Sequence, residues 1–263
     1  MINVLVNGAS GRMGKAMSAG IIGEADMQIV AAVDIRQEGE DIGLLAGCGP
    51  IGVTVEKDLV QAIRRSKPDV MLDFTNPQAV LRNLRLALGE DLPCVVGTTG
   101  LTERDINELR QLSELHHAPL FIAANFAITA VLMMRFAVEA ARYLPQYEII
   151  ERHHENKMDA PSGTALRTME MISAVRQVHA QGAAHEIEMI AGSRGGDYQG
   201  ARVHSMRLPG YVASQEVVFG APGQTLTIRQ DSINQHCFFP GVALALRKIG
   251  ELSGVTVGLD KLL

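Results

Sequence analysis

Short apolar segments alternate with amphipathic ones along the first half of the chain. The apolar segments are rich in Val, Ile and Leu and end at polar or glycine residues, as buried strands do; they span residues 2–6, 29–33, 70–74, 94–97 and 120–123. Between them, apolar positions at helical spacing predict helices over residues 13–22, 59–66, 78–88 and 103–114. This alternation predicts an α/β domain with a doubly wound parallel sheet, whose ligands bind at the carboxyl ends of the strands.

The pattern changes after about residue 125. A long apolar helix is expected over residues 130–143, a strand over 147–152, a second helix over 163–178 and a last helix over 241–252. Short β-rich segments divided by glycine and proline turns cover residues 186–191, 202–208, 214–219 and 225–229. We therefore expect a first domain over residues 1–126, to which a helix in about 237–263 returns, and a smaller α+β domain with a mixed sheet over 127–236.

Composition narrows the class of protein. The 263 residues are 47% hydrophobic and 20% charged, an ordinary globular balance. The net charge of −5 gives no basic field, so neither nucleic acid nor an anionic membrane is an expected partner. The three cysteines, Cys48, Cys94 and Cys237, form no disulfide framework, and the longest apolar stretch, 127–134, is shorter than the ~20 residues of a membrane span. We expect a cytoplasmic protein.

A glycine-rich loop follows the first predicted strand. Residues 8–14 read Gly-x-x-Gly-x-x-Gly and open the first predicted helix. Dinucleotide binding needs glycine here, because the chain turns sharply, brings backbone amides to a pyrophosphate and packs its helix closely on the sheet. The loop therefore indicates a Rossmann-like domain, and the alternative is a tight strand-to-helix turn without a ligand.

An acidic residue stands where such domains bind the adenosine ribose. Asp34 ends the second predicted strand, roughly 20 residues beyond the loop, a spacing typical of the carboxylate that binds ribose hydroxyls. It should repel a 2′-phosphate, but Arg36 and Lys15 lie close enough in sequence to compensate, so the pattern favours NAD and leaves NADP open. Small polar residues at the strand ends 73–75, 97–100 and 123–126 are either cofactor contacts or plain turns.

The densest polar cluster covers residues 151–165. Ser162 is a natural helix N-cap, and the amides of Gly163 and Thr164 would then bind a carboxylate, beside the positive charge of Lys157. A histidine can deliver a proton near neutral pH. His153 and His154 are adjacent on a strand and face opposite sides, so at most one is catalytic. A metal site is a weaker alternative, since the cluster lacks a helical histidine pair.

Both clusters together give the chain a family resemblance. Residues 148–154, Lys157 and residues 159–165 resemble the signature of the 4-hydroxy-tetrahydrodipicolinate reductase (dihydrodipicolinate reductase) family, with supporting matches at 8–14, 73–75, 97–100, 124–126 and 207–210. The resemblance spans the whole chain. It implies an NAD(P)H-dependent oxidoreductase of lysine and diaminopimelate biosynthesis, which reduces hydroxy-tetrahydrodipicolinate, a small dicarboxylate, to tetrahydrodipicolinate with loss of water.

The same resemblance assigns roles to residues of this chain. His153 becomes the proton donor and Lys157 its catalytic partner, while the substrate is held by His154, Ser162, Gly163 and Thr164. NADH or NADPH is bound by Gly8, Ala9, Ser10, Gly11, Arg12, Met13, Asp34, Gly97, Thr98, Thr99, Ala123, Ala124, Asn125 and Phe126. No metal is implied. A homotetramer, joined through the sheet of the second domain, is expected, and domain closure would bring the nicotinamide to His153.

Three positions differ from the family pattern. Thr129 replaces a glycine, Gln230 a histidine and Gln235 an arginine. The loss of charge at Gln235 leads to the hypothesis of weaker substrate binding. Two alternatives stay open on the sequence: another nicotinamide dehydrogenase of the same architecture, such as one acting on aspartate, and a nucleotide-binding or sensing protein with little catalysis.

Overall fold

A computed structural model gives the fold and describes residues 1–177, 181–183 and 185–263. Its strands are β1 (Ile2–Asn7), β2 (Met27–Val33), β3 (Val55–Glu56), β4 (Val70–Asp73), β5 (Cys94–Val96), β6 (Leu120–Ile122), β7 (Gln146–His153), β8 (Gly196–Tyr198), β9 (Ala201–Arg207), β10 (Ala213–Ala221), β11 (Gln224–Ser232) and β12 (Val255–Val257). Its α-helices are α1 (Arg12–Ile22), α2 (Ile42–Leu45), α3 (Leu59–Ser66), α4 (Val80–Gly89), α5 (Glu103–Leu115), α6 (Ile128–Ala141), α7 (Gly163–Ser173) and α8 (Phe239–Lys248).

The chain divides into two compact units. One unit contains Met1–Phe126 and Gln235–Leu263, and the other contains Ala127–Asn234. The first carries a parallel sheet flanked by helices, and the second a mixed sheet with helices. The predicted fold class, a Rossmann-like doubly wound domain with a smaller α+β domain, is confirmed.

The sheet of the first unit reverses its direction of growth between β1 and β4. Its strand order is β12-β6-β5-β4-β1-β2-β3, with every pair parallel. The chain builds outward from β1 to β3, then returns beside β1 and builds the other way from β4. A sheet of this kind opens a crevice at the carboxyl ends of the two strands where the order reverses. Here those ends are Asn7 and Asp73.

Local sequence explains why the predicted helices form where they do. The Thr102 hydroxyl accepts from the Asp105 amide, and the Asp105 carboxylate accepts from the Thr102 amide, a reciprocal cap at the start of α5. Asp58 caps α3 by accepting from the amide of Gln61. These caps satisfy amides that have no partner inside the helix, so the helices begin at fixed residues.

The second unit packs helices against one face of its sheet. The order is β11-β10-β7-β9-β8; β7 and β9 are parallel and the other pairs antiparallel. Along β7 the buried positions alternate, so Tyr147, Ile149 and Glu151 point to the same side, where Tyr147 and Ile149 join the core with Met169 of α7. Glu151 follows the same alternation and is therefore a fully buried carboxylate at the end of the core.

Two predicted elements differ from the structure. The prediction of a strand over residues 186–191 is wrong: Glu188 instead accepts from the amides of Gly192 and Arg194, which closes a turn. Its apolar residues Ile187 and Met189 are exposed, so the alternating pattern has no sheet to bury it. The helix predicted to end at residue 178 ends at Ser173, and residue 178 lies outside the described residues.

The sequence pattern did not predict the very short elements. They are β3, β8, β12 and α2, each of four residues or fewer. Such segments hold too few positions to show a period. Within the described ranges, no helix is long and apolar enough to cross a membrane.

Candidate active site

The loop between β1 and α1 needs glycine for steric reasons. Gly8 has a positive φ of 82°, and a Cβ there would lie 2.5 Å from the carbonyl oxygen of Phe74. A Cβ at Gly14 would lie 2.1 Å from the carbonyl oxygen of Gly8. Both obstacles are backbone atoms, which cannot move aside cheaply. The glycines therefore allow the loop, the strand ends and the start of α1 to pack in contact.

The start of α1 has features that favour the binding of an anion. Its N-cap is Gly11, which has no side chain to bond the amides of the first turn. The first turn, residues 12–15, contains Arg12 and Lys15 and no acidic residue. Backbone amides at a helix N-terminus favour negative charge, and the pyrophosphate of a dinucleotide suits them.

Asp34 links this loop to the end of β2. Its Oδ2 accepts from the amide of Ser10 at 3.0 Å, and its Oδ1 accepts from the amide of Arg36 at 2.9 Å. The Ser10 hydroxyl in turn donates to the Arg36 carbonyl at 3.0 Å. Asp34 is buried, whereas the Arg36 side chain is 73% exposed. The carboxylate is held by these backbone amides, and the exposed Arg36 guanidinium lies beside it, with its Nε 3.9 Å from Asp34 Oδ1.

A cleft of about 1010 Å³ opens at the reversal point of the sheet. Gly8, Gly11, Asp34 and Arg36 line it, so the structure brings the glycine loop and the predicted ribose carboxylate together. Phe74 and Thr75, from one of the strand ends that the sequence left open as a cofactor contact or a plain turn, also line it. Further lining comes from residues to which the sequence pattern gave no cofactor role: Lys57, Arg82 and Asn83. Its volume is at the upper end of the range of small-molecule pockets.

A buried carboxylate joins the strand ends beside this cleft. Asp73 ends β4 and is fully buried. Its donors are the amide and hydroxyl of Thr75 and the side chains of Asn7, Asn83 and Thr98, at 2.7–3.2 Å. Each of these donors is a neutral group. Asp73 therefore joins the carboxyl ends of β1, β4 and β5 to α4 without an opposite charge.

Three other predicted cofactor residues, Gly97, Thr98 and Phe126, lie against Phe74 or Asp73. A Cβ at Gly97 would lie 2.1 Å from the Phe74 ring, and the Phe126 ring lies 5.9 Å from that ring between centroids. Thr98 reaches the site through Asp73. The remaining predicted cofactor contacts differ in exposure. The buried ones are Ala9 and Ala123, the half-buried ones Met13 and Asn125, and the exposed ones Arg12, Thr99 and Ala124.

The second unit holds the predicted proton donor against Glu151. His153 lies two residues further along β7, and therefore on the same side of the strand. Its Nδ1 lies 2.5 Å from Glu151 Oε2, and its side chain is 15% exposed. A carboxylate at Nδ1 fixes the orientation of the ring and directs Nε2 outward, where a substrate could be protonated. His154 follows the end of the strand and is exposed.

Arg207 completes this arrangement from the neighbouring strand. It pairs with His153 in the register of β7 and β9. Its guanidinium binds Glu151 in a bidentate manner, Nη1 to Oε2 at 2.9 Å and Nη2 to Oε1 at 2.8 Å. Burial of Glu151 raises the pKa of this carboxyl, but hydrogen bonds from His153, Arg207 and Ser205 outweigh burial and lower it from 4.5 to about 2. Glu151 is therefore an anion at neutral pH.

Lys157 lies in the loop after β7. Its Nζ donates to Asp159 Oδ1 at 2.6 Å, and its side chain is 21% exposed. This hydrogen bond lowers the pKa of the Asp159 carboxyl against slight burial. Arg207 Nη2 also donates to the Asp159 carbonyl at 2.6 Å. One guanidinium thus connects the histidine and lysine parts of the site.

The start of α7 supplies the predicted carboxylate site. Ser162 is the N-cap, and its hydroxyl accepts from the Ala165 amide at 3.2 Å. The Ser162 amide donates to Glu151 Oε1 at 3.2 Å, which places this helix start beside the histidine. Gly163 is exposed, with open space where a Cβ would stand, and Thr164 is half-buried. An exposed helix N-terminus next to a lysine can bind a carboxylate.

Comparison with known proteins decides the family. The family model for the N-terminus of dihydrodipicolinate reductase matches residues 2–126, and the model for its C-terminus matches residues 129–263. The chain belongs to the dihydrodipicolinate reductase family. The resemblance inferred from the sequence is confirmed.

Similar dihydrodipicolinate reductases cover the chain from end to end. The chain is 51% identical over 263 residues to the 4-hydroxy-tetrahydrodipicolinate reductase of Desulfitobacterium hafniense, covering 100% of this chain and 98% of that protein. Its identity to the Moorella thermoacetica enzyme of the same name is 49%, with the same coverage. A solved dihydrodipicolinate reductase from Paenisporosarcina sp. TG-14, with dipicolinate bound, superposes with a TM-score of 0.89 at 40% identity, covering 100% of both chains.

The family fixes the class of activity. Dihydrodipicolinate reductases are NAD(P)H-dependent oxidoreductases of lysine and diaminopimelate biosynthesis, so the predicted enzyme class and function are confirmed. This membership favours the reductase over the two alternatives that the sequence left open, an aspartate dehydrogenase and a binding protein with little catalysis.

Three residues, Glu151, Asp73 and Arg207, acquire a role only in the structure. Glu151 could have been recognised from the sequence, since a residue two positions before His153 on a strand shares its face. Asp73 and Arg207 could not have been recognised in this way, because their partners lie on other strands and the register of the sheet decides which residues meet. Hydrogen bonds between elements, not local sequence spacing, assign them.

The three positions that differ from the family pattern lie in three different elements of the structure. Gln230 is buried, and its Nε2 donates to Ser232 Oγ at 2.8 Å. Thr129 is exposed in the first turn of α6. Gln235 begins the 3-10 helix Gln235–Phe238. The hypothesis that the loss of charge at Gln235 weakens substrate binding stays a prediction.

Proposed function

We propose that this chain reduces 4-hydroxy-tetrahydrodipicolinate to tetrahydrodipicolinate with His153 as proton donor. The overall reaction consumes one NAD(P)H and one proton and releases NAD(P)⁺ and water. When bound, the nicotinamide supplies the hydride; His153 supplies the proton through Nε2. Lys157 and the amides of Gly163 and Thr164 bind the substrate carboxylates, with His154 at the exposed edge. The observation that carries this proposal is the contact between Glu151 and His153 Nδ1, which orients the ring.

The test is NAD(P)H oxidation by the purified protein, with substrate formed in situ from pyruvate and aspartate semialdehyde. We expect turnover by the wild type and its collapse in the His153→Ala, Lys157→Ala double variant. NADH binding by the variant serves as the folding control. Turnover that survives in the variant would overturn the assignment of these two residues.

We propose that the cleft accepts both NADH and NADPH. Asp34 is a fixed acceptor for ribose hydroxyls, and the exposed cationic side chains of Arg36 and Lys57 at the same cleft favour a 2′-phosphate. Arg36→Ala should raise the KM for NADPH several-fold and leave the KM for NADH nearly unchanged. An equal change in both KM values would contradict this division.

The assembly we propose is a homotetramer joined through the sheet of the second unit. Support comes from the face of that sheet opposite α6 and α7, where half-buried Ile150 and Val218 lie among charged residues. Sedimentation equilibrium tests this, and a monomeric mass would contradict it. A cytoplasmic location remains our expectation, supported by the free thiols of Cys48, Cys94 and Cys237.

A further inference from the structure

Glu151 is the meeting point of the groups that surround the proposed proton donor. It contacts His153 on its own strand, Arg207 and Ser205 on β9, and the amide of Ser162 at the start of α7. Its side chain is fully buried, so water cannot replace any of these partners. Any displacement of this carboxylate would therefore alter its contacts with the histidine, with the start of α7 and with the Arg207 guanidinium.

Arg207 opposes the electrostatic effect of Glu151 on His153. The anionic carboxylate of Glu151 at Nδ1 attracts positive charge on the imidazole ring. The same carboxylate is bound by the Arg207 guanidinium, which neutralises part of its charge. Lys157 and Asp159, the other charged groups that face this site, are paired with each other, and His154 is exposed to solvent. The pair Arg152 and Glu216 lies on the opposite face of the sheet.

We propose that Glu151 is the positioning residue of the proton donor and that Arg207 limits how strongly its charge holds the proton on His153. The inference rests on the proposed role of His153. If the proposal is right, removing the charge of Glu151 and removing the charge of Arg207 have opposite effects on how strongly His153 holds its proton. A pair that served only to hold the fold would not produce such opposite effects.

The test compares the pH dependence of kcat/KM in Glu151→Gln and Arg207→Met. The alkaline limb reports the pH at which the proton donor of the free enzyme loses its proton. Glu151→Gln keeps the shape and an acceptor but removes the charge, so we expect the limb to move to lower pH by about 1 unit and kcat to fall about 10-fold or more. Arg207→Met leaves the charge of Glu151 uncompensated, so the limb should move to higher pH.

Two further variants keep the test interpretable. The double variant Glu151→Gln, Arg207→Met removes the pair together and avoids an uncompensated buried charge, so it should fold and show the low-pH shift. Glu216→Gln removes the same charge from the opposite face and should leave the limb unchanged. Thermal unfolding and NADH binding verify the fold of each variant.

Each outcome identifies which assignment fails. Loss of activity in His153→Ala, with an unchanged alkaline limb in Glu151→Gln and Arg207→Met, would overturn the positioning role and keep the proposed function. Shifts in the same direction in both single variants would also overturn it. Wild-type activity and pH profile in His153→Ala would overturn the proposed role of His153 itself.

Discussion

The loops that begin α1 and α7 both offer backbone amides to an anion, but they use glycine for different reasons. Gly8 and Gly14 are required by the chain itself, because a Cβ at either would overlap backbone atoms. Gly163 faces open space, so nothing in its own unit excludes a side chain. Internal packing therefore explains the glycines of the first loop and does not explain Gly163.

The two buried carboxylates near these loops, Asp73 and Glu151, differ in the kind of group that they bind. Asp73 binds neutral hydroxyl and amide groups that join strand ends. Glu151 binds a cation and an imidazole. The first arrangement fixes geometry around the proposed hydride donor, whereas the second governs charge around the proposed proton donor. Substitutions can separate these two kinds of site.

The largest effect is expected for Gly14→Ala. The new Cβ would displace the Gly8 carbonyl, so we expect a loss of about 3 to 4 kcal/mol in the free energy of unfolding and loss of NADH binding. Urea unfolding and calorimetric titration measure both. Gly89→Ala in α4 is the matched control, since its Cβ meets open space, and it should change stability by less than about 1 kcal/mol. Equal effects would refute the packing argument.

Asp73→Ala should follow, with a loss of about 2 to 3 kcal/mol, because it leaves the buried side-chain amide of Asn7 without its acceptor and removes the shorter of the two hydrogen bonds of Thr98. The KM for NAD(P)H should also rise, since Phe74 and Thr75 would lose their anchor beside the cleft. Urea unfolding and steady-state kinetics provide the measurements. An unchanged KM would show that the strand ends keep their geometry without this carboxylate.

A smaller effect concerns pH and Glu151. Its pKa of about 2 lies below the ordinary 4.5, so the unfolded chain takes up the proton first and the stability contributed by Glu151 is lost as pH falls from 4.5 toward 2. The double variant Glu151→Gln, Arg207→Met should lose less stability over that interval than the wild type. Unfolding midpoints in urea across the interval test this, and parallel curves would contradict it.

The smallest effect on stability is expected for Gly163→Ala. Its Cβ meets open space at the first position of a helix, so the free energy of unfolding should change by less than about 1 kcal/mol. The KM for substrate should nevertheless rise several-fold, because the methyl group would occupy the approach to the α7 amides. Kinetics with NADH binding as control test this; an unaltered KM would place the carboxylate elsewhere.

The sequence alone determined the elements with strong local signals. Strands β1, β2 and β4 are visible in it as apolar segments, and the glycine loop and residues 151–165 indicate the two sites. These features depend on neighbours in the chain: glycine spacing, an N-cap serine, a histidine near a lysine. The error at residues 186–191 has the same origin, since an alternating pattern predicts a strand only if a sheet is there to bury it.

Tertiary structure alone decided what surrounds each carboxylate. Register between β7 and β9 brings Arg207 to Glu151, across 56 residues of sequence, and the return of β4 beside β1 brings Asn7 to Asp73, across 66. A buried charge selects its partners by distance and donor geometry, and neither is encoded in local spacing. Sequence therefore predicted the groups that would meet ligands, while the fold decided which groups hold them in position.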